Sequence, residues 1–138
     1  MIVRPALASD RRAWAAMRRR LWPDSAAAEL EGEAPPLGLV AEEEGRLVGF
    51  AEASVRNYAE GGPAGPAAYL EGIWVEPERR RRGIGRALLA AVEAWARRRD
   101  LAWLGSDALI DNDPSQHWHR AAGFAEIERI VLFGKPLR

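Results

Sequence analysis

Arginines and glycines are concentrated in residues 79–86, a composition suited to holding an anionic group. This run follows apolar residues 69–75, which predict a β-strand, and precedes an apolar stripe from Ile84 to Trp95 with helical spacing. A helix N-terminus has unpartnered N–H groups and a positive dipole end, so a strand, turn and helix in this order can bind phosphate. The predicted anion-binding residues are Arg80, Arg81, Arg82, Gly83, Ile84, Gly85 and Arg86.

Two common phosphate-binding motifs do not fit this turn. A P-loop needs a lysine and a hydroxyl residue after its last glycine, whereas Arg86 follows Gly85. A Rossmann fingerprint needs a third glycine where this chain has Leu88, and it belongs to the first strand of a parallel sheet. A basic, solvated turn before an ordinary helix remains the alternative.

Composition narrows the class of protein. The 138 residues fit a single domain spanning 1–138, and the absence of cysteine excludes disulfides and cysteine nucleophiles. The first residues lack the apolar core of a signal peptide and no apolar run reaches membrane-spanning length, so we expect a cytoplasmic protein without a membrane. The net charge of zero argues against nucleic acid, and His117 and His119 lie on different faces of a helix, so we expect no metal site.

Local patterns predict ten elements. Ser9 predicts the N-cap of a helix through Leu21, and Ser115 predicts the N-cap of a helix through Ala122. A short acidic helix is predicted over 24–33 and another helix begins near Ile84. The strands are predicted at 2–6, 37–43, 46–56, 69–75, 102–108 and 126–133.

These pieces resemble the GCN5-related N-acetyltransferases. The segment Arg80-x-x-Gly83-x-Gly85 is similar to the family's pyrophosphate-binding motif for acetyl-coenzyme A, and Asn112 with His119-x-x-x-Gly123-Phe124 is similar to its C-terminal segment. His119 stands where many members have a tyrosine general acid. The resemblance implies an α/β (α+β) fold, in which a mixed, mostly antiparallel sheet is flanked by helices and splayed around the central strand.

Five short segments narrow the resemblance to the bacterial aminoglycoside 6'-N-acetyltransferases: 21–23, 53–56, 70–73, 106–107 and 123–129. The implied reaction is direct transfer of acetyl from acetyl-coenzyme A to the 6'-amine of an aminoglycoside, in a ternary complex. Two alternatives stay open, an acetyltransferase for another small-molecule or protein amine and a non-catalytic module that binds acetyl-coenzyme A.

The resemblance also implies roles for individual residues. Glu71 is expected to bind the substrate ammonium and accept its proton, and His119 to protonate the leaving thiolate. If no bulge interrupts the strand, Glu71 shares a face with Tyr69, Ile73 and Val75; an exposed surface carboxylate is the alternative. Further cofactor contacts are expected at Ile73, Trp74, Val75, Asn112 and Ser115, and substrate contacts at Trp22, Tyr58, Glu71, Asp107 and Glu128. Carboxylates suit ammonium groups and aromatic rings suit sugar faces.

The C-terminal end predicts self-association. After Gly123 the chain has room for one strand, which would leave an open sheet edge. We therefore expect a homodimer in which the segment near Val131 to Phe133 pairs or packs across a two-fold axis.

Overall fold

The computed structural model describes residues 1–24 and 35–138, so the predicted acidic helix over 24–33 lies outside the described residues except for Asp24. The chain divides into two compact units, Met1–Asp107 and Ala108–Arg138. Across these described ranges, no helix has the length and apolar character needed to cross a membrane.

The described residues of the first unit form a sheet of five strands that neighbour one another in chain order. The strands pair antiparallel except for the last pair, which is parallel, and this confirms the predicted mixed, mostly antiparallel sheet. The strands are β1 (Ile2–Pro5), β2 (Leu37–Glu43), β3 (Arg46–Arg56), β4 (Ala67–Val75) and β5 (Leu104–Ser106). The predicted hairpin of β2 and β3 is confirmed at both strands, whereas β5 is shorter than the predicted 102–108 because only three of its residues pair with β4.

In the part of the chain that the structure describes, two α-helices cover the sheet. α1 spans Arg11–Leu21 and ends where predicted, and α2 spans Ile84–Arg98. The prediction of Ser9 as the N-cap of α1 is wrong, because Ser9 lies inside a 3-10 turn and Asp10 occupies the N-cap position. Asp10 is fixed there by hydrogen bonds from the Leu7 N–H and the Arg4 guanidinium.

Each helix packs on its own face of the sheet. On one face, Trp14 and Met17 of α1 form a buried cluster with Val40, Phe50 and Trp74. On the other face, Leu88 of α2 lies over Gly49. Glycine at position 38 leaves room for the Trp14 indole, since a Cβ there would lie 2.4 Å from the ring.

One extra residue interrupts β4. Glu52 pairs with Gly72 and the next residue, Ala53, pairs with Leu70, so Glu71 has no partner in the register. This is a β-bulge, which bends a strand and re-aims its side chains. The pairing of β4 with β5 covers only Ala68 to Leu70. Beyond the bulge, β5 no longer pairs with the edge of β4, as expected for a sheet splayed at its central strand.

The second unit contains one helix and a tail without regular secondary structure. α3 spans Asp113–Ala121, and the prediction of Ser115 as its cap is wrong because the Asn112 side-chain oxygen accepts from the Ser115 N–H. The predicted strand 126–133 is also wrong, since residues 124–138 form no helix or strand. A strand is held by a partner strand, and this segment pairs with no strand among the described residues.

Candidate active site

The bulge places Glu71 among polar residues of β3. The Ser54 hydroxyl donates to Oε2 of Glu71, which also accepts from Nε of Arg56 at 3.0 Å. Nη2 of Arg56 donates to Oε1 at 2.8 Å. Both carboxylate oxygens are therefore engaged, and Glu71 is anchored to the end of β3.

The bulge also changes which residues share the face of Glu71. Tyr69 pairs with Ser54 on this face, so the expected neighbourhood of Glu71 and Tyr69 is found. Ile73 and Val75 pair with Ala51 and Gly49, which alternate with the residues facing α1. The expectation that Ile73 and Val75 share the face of Glu71 is therefore wrong, because the extra residue reverses the alternation.

A second carboxylate joins this group through an aromatic ring. The buried Tyr69 hydroxyl donates to Oδ2 of Asp107 at 2.8 Å. The Arg56 guanidinium lies 3.4 Å from the centroid of the Tyr69 ring, within cation–π range. Burial, followed by the hydrogen bond to Asp107, raises the pKa of Tyr69 well above its ordinary value, so Tyr69 acts as a neutral donor. Glu71 and Asp107 are thus linked through Arg56 and Tyr69.

Trp22 lies against Gly72, the residue that follows Glu71. A Cβ on Gly72 would lie 2.6 Å from the Trp22 indole, so the ring covers the backbone directly after the bulge. The ring also meets Phe50 edge-on at 6.2 Å and receives the Arg18 guanidinium at 5.1 Å. Trp22 therefore packs at the end of α1 and also borders the surface around Glu71. Tyr58, by contrast, is 65% exposed in loop 57–66.

A buried ion pair between Arg18 and Glu52 lies next to this surface. Glu52 accepts hydrogen bonds from Arg18 and from the Trp14 indole N–H, and all three residues are buried. Burial raises the pKa of Glu52, while the Arg18 charge acts in the opposite direction. Because the Arg18 guanidinium also lies over Trp22, this pair couples the core to the wall beside Glu71.

The turn before α2 has the geometry of an anion cradle. Gly83 is the N-cap of α2 in the left-handed conformation, with φ 85°, and no side chain caps the helix. Arg81 also has positive φ, at 65°. Arg80 donates from Nε to the Val75 carbonyl at 2.8 Å, which ties the turn to the end of β4. Arg81, Arg82 and Arg86 are exposed, and the first turn of α2 contains no acidic residue to repel an anion.

The remaining predicted residues belong to the second unit. Nδ1 of His119 lies 2.7 Å from the Ser115 carbonyl oxygen, and its ring meets Phe124 and Trp118 edge-on. Since a carbonyl only accepts, Nδ1 carries a proton, and a neutral His119 has Nε2 as its acceptor. Asn112 caps α3 through its side-chain oxygen, and Glu128 is exposed in the tail.

Three residues that contact the predicted site were not predicted as site residues: Ser54, Arg56 and Tyr69. Ser54 and Arg56 stand two apart on one strand and so share a face, which is a signal the sequence contains. Their contact with Glu71 depends on the bulge, which local sequence does not reveal.

Comparison with known proteins decides the family. Residues 7–124 match the family model described as the acetyltransferase (GNAT) family. The chain belongs to the GNAT acetyltransferase family. An aminoglycoside N(6')-acetyltransferase type 1 of Klebsiella aerogenes is 40% identical over 147 aligned residues, covering 99% of this chain and 97% of that protein.

Solved structures agree with the GNAT fold. The chain superposes on the aminoglycoside 6'-N-acetyltransferase AAC(6')-Ig of Acinetobacter haemolyticus with a TM-score of 0.90 and 34% identity, covering all of both chains. It also matches AAC(6')-Iy in complex with a bisubstrate analogue, CoA-S-monomethyl-acetylneamine, with a TM-score of 0.88 and 32% identity over 99% of this chain and 98% of that one. The predicted family and fold are confirmed.

Proposed function

We propose that this protein transfers acetyl from acetyl-coenzyme A to the 6'-amine of aminoglycoside antibiotics, directly within a ternary complex. The main support for this proposal is full-length similarity to relatives that are named for that activity. One of them has a solved structure with a bisubstrate analogue, CoA-S-monomethyl-acetylneamine. The pair of carboxylates Glu71 and Asp107 on one surface supports a cationic substrate.

The turn before α2 fits the pyrophosphate of coenzyme A. Gly83 adds no side chain, nothing lies within 4 Å of the place where its Cβ would be, and the α2 N–H groups lack a side-chain cap. Residues 80–86 would hold the pyrophosphate, and the unpaired edge of β4 at Ile73, Trp74 and Val75 would supply backbone contacts. When bound, acetyl-coenzyme A supplies the acetyl group as an activated thioester.

Side chains and backbone groups of this chain would bind the charged groups and transfer the protons in the reaction. Glu71 binds the reacting ammonium and accepts its proton, directly or through water. A backbone N–H of residues 73–75 donates to the developing oxyanion. His119, whose Nδ1 proton is held by Ser115, would donate from Nε2 only in its doubly protonated form. Asn112 and Ser115 complete the proposed cofactor contacts.

Substrate binding would use carboxylates and rings together. Asp107 and Glu128 would pair with further ammonium groups, since both are exposed carboxylates. Trp22 and Tyr58 would pack against sugar faces. We place the reaction in the cytoplasm, where its acyl donor is a metabolite, and in one domain spanning residues 1–138.

A homodimer forms part of the proposal. In the tail, Val131, Leu132 and Phe133 are 77%, 83% and 93% exposed. An exposed apolar stretch of this kind favours contact with another protein surface. In the described residues, the outer edge of β5 has no neighbouring strand. The segment 131–133 would pair or pack across a two-fold axis and gain in a second copy the strand partner that it does not have among residues 1–24 and 35–138.

Release of free coenzyme A across a panel of amines tests the proposed reaction. Aminoglycosides with a 6'-amine should be acetylated, whereas analogues with a 6'-hydroxyl should not. Equal acetylation of both would place the reaction at another amine. Turnover only with polyamines or peptides would favour the other-amine alternative, and cofactor binding without any turnover would favour the non-catalytic module.

A further inference from the structure

Arg56 contacts two groups of this surface that attract cations, the Glu71 carboxylate and the Tyr69 ring. Its guanidinium donates twice to Glu71, at 3.0 and 2.8 Å, and covers the face of Tyr69 at 3.4 Å. The anion and the aromatic face that would attract an ammonium group are therefore both taken by a cation of the protein itself.

The charges around Glu71 determine how the contact with Arg56 affects the binding of an ammonium group. Among the described residues, this surface carries the carboxylates of Glu71 and Asp107, and Arg56 offsets one of them. The adjacent Glu52 and Arg18 form an ion pair and offset each other. An ammonium that approaches Glu71 while Arg56 is in place meets a like charge, which opposes binding.

We propose that Arg56 is an internal counter-cation that the reacting ammonium of the substrate displaces from Glu71. The inference rests on the proposed function, because it assumes a cationic amine at this surface. Arg56 holds Glu71 in place before the substrate arrives, and it leaves Glu71 when the ammonium takes over the two carboxylate oxygens.

The geometry allows the exchange. Arg56 is the last residue of β3 and its side chain is 44% exposed, so it can swing into solvent without opening the core. The Ser54 hydroxyl still holds Oε2 of Glu71 when the guanidinium departs. The carboxylate therefore keeps its orientation while its cation changes.

Displacement of Arg56 adds a binding cost that an acceptor with several positive charges can offset. A monoamine must replace a two-fold hydrogen bond and a ring contact with one ammonium group. A substrate with a second ammonium near Asp107 gains another ion pair and offsets that cost.

The test is Arg56→Met, which removes the charge and keeps an apolar side chain over Tyr69. The Michaelis constant for kanamycin should fall, by about two- to fivefold if the pair has the strength typical of partly exposed ion pairs. The calorimetric Kd for kanamycin should fall by a similar factor, and the Michaelis constant for a simple monoamine acceptor should fall by the same factor, because the same displacement is no longer required.

Two companion variants separate charge from fold. Arg56→Lys keeps the cation and should leave the Kd near that of the wild type. Arg99→Met removes a guanidinium that lies 5.1 Å from the Trp95 ring, away from this surface, and should change neither constant.

A raised Kd in Arg56→Met, or a lowered kcat at unchanged Kd, would overturn the exchange and make Arg56 a positioning residue for Glu71. If Arg56→Lys lowered the Kd as much as Arg56→Met does, the positive charge of Arg56 would not be the cause, and this part of the proposal would be wrong. Failure of the proposed function appears differently, as wild-type protein that acetylates no aminoglycoside, and the Kd comparison then still decides the exchange.

Discussion

Glu71 illustrates how a bulge can re-aim a carboxylate on a strand. The bulge removes it from the register, and Ser54 and Arg56 then fix both of its oxygens. These contacts depend on which residues of β3 lie opposite, so the residue type was predictable from sequence and its partners were not. The proposed roles of Glu71 and Asp107 lead to different kinetic expectations.

Glu71→Gln keeps the shape of the side chain and removes the charge and the proton acceptor. We expect kcat to fall by about a hundredfold or more, in the range typical of a lost general base. Cofactor affinity, measured by calorimetry, should stay near that of the wild type. Glu93→Gln on α2 is the control, and an equal loss in both variants would remove Glu71 from the chemistry.

Asp107→Asn should act mainly on binding. It replaces an exposed carboxylate that Tyr69 orients, so the Michaelis constant for the antibiotic should rise about tenfold, the loss expected for one charge-assisted hydrogen bond. Because Asp107 is exposed, added salt should reduce the difference between the two proteins. A lowered kcat at unchanged Michaelis constant would contradict this role.

At the scale of elements, hydrophobic periodicity sufficed for α1, α2 and the hairpin of β2 and β3. The bulge at Glu71 was not predictable, because a pairing register is a property of two strands. The N-terminal cap of α1 was misplaced for a related reason. Arg4 and Leu7, rather than the local preference of Ser9, hold Asp10 at the cap position.

The contact of Asp10 with Arg4 joins β1 to α1 and predicts a pH dependence. Hydrogen bonds from Arg4 lower the pKa of Asp10, although burial acts against them. The pair therefore stabilises the fold above pH of about 4, the ordinary pKa of aspartate, and its contribution is lost as the pH falls through the lower folded-state value. Asp10→Asn should lower the free energy of unfolding by about 2 kcal/mol at neutral pH, and by less in acid.

Urea unfolding at several pH values measures this difference. Asp100→Asn, in an exposed turn after α2, is the matched control and should show little change at any pH. A deficit in Asp10→Asn that stays constant down to pH 2 would rule out the ion pair as its source.

The turn before α2 offers a direct test of cofactor binding. Gly83→Glu places a carboxylate at the proposed pyrophosphate site, so acetyl-coenzyme A should no longer raise the melting temperature. Gly45→Glu is matched to it, because Gly45 also has positive φ, 75°, and open space around its Cβ. Both variants should lose some stability from backbone strain, but only Gly83→Glu should lose the ligand response.

At the scale of the whole molecule, the sequence indicated the family and the sheet, but not the state of the C-terminal tail. Its apolar residues predict a strand, but among the described residues no strand pairs with them. The local sequence pattern indicates only a preference for extended backbone, whereas a β-strand also needs a neighbouring strand to pair with.

The proposed dimer makes a prediction at this scale. Sedimentation at micromolar concentration should give the mass of two chains. Leu132→Asp should shift it toward one chain, because a charge would replace an apolar side chain in the proposed interface. Leu137→Asp changes a residue that is equally exposed, at 90%, but lies beyond the segment, and should stay dimeric. A wild-type mass of one chain would contradict the dimer.

Because of the extra residue in β4, the alternation of side chains between the two faces of the sheet shifts by one position at Glu71. Tyr69 and Ala67 face the same side as Gly72 and Trp74, so odd positions before Glu71 correspond to even positions after it. Deleting Glu71 itself would remove the bulge and leave both faces of β4 in register with β3, whereas inserting one residue before or after it would exchange the two faces on one side of the insertion. A library of single-residue insertions and deletions should therefore find 67–75 intolerant except for deletion of Glu71, and loop 57–66 permissive, and substitution profiles along β4 should change phase at Glu71.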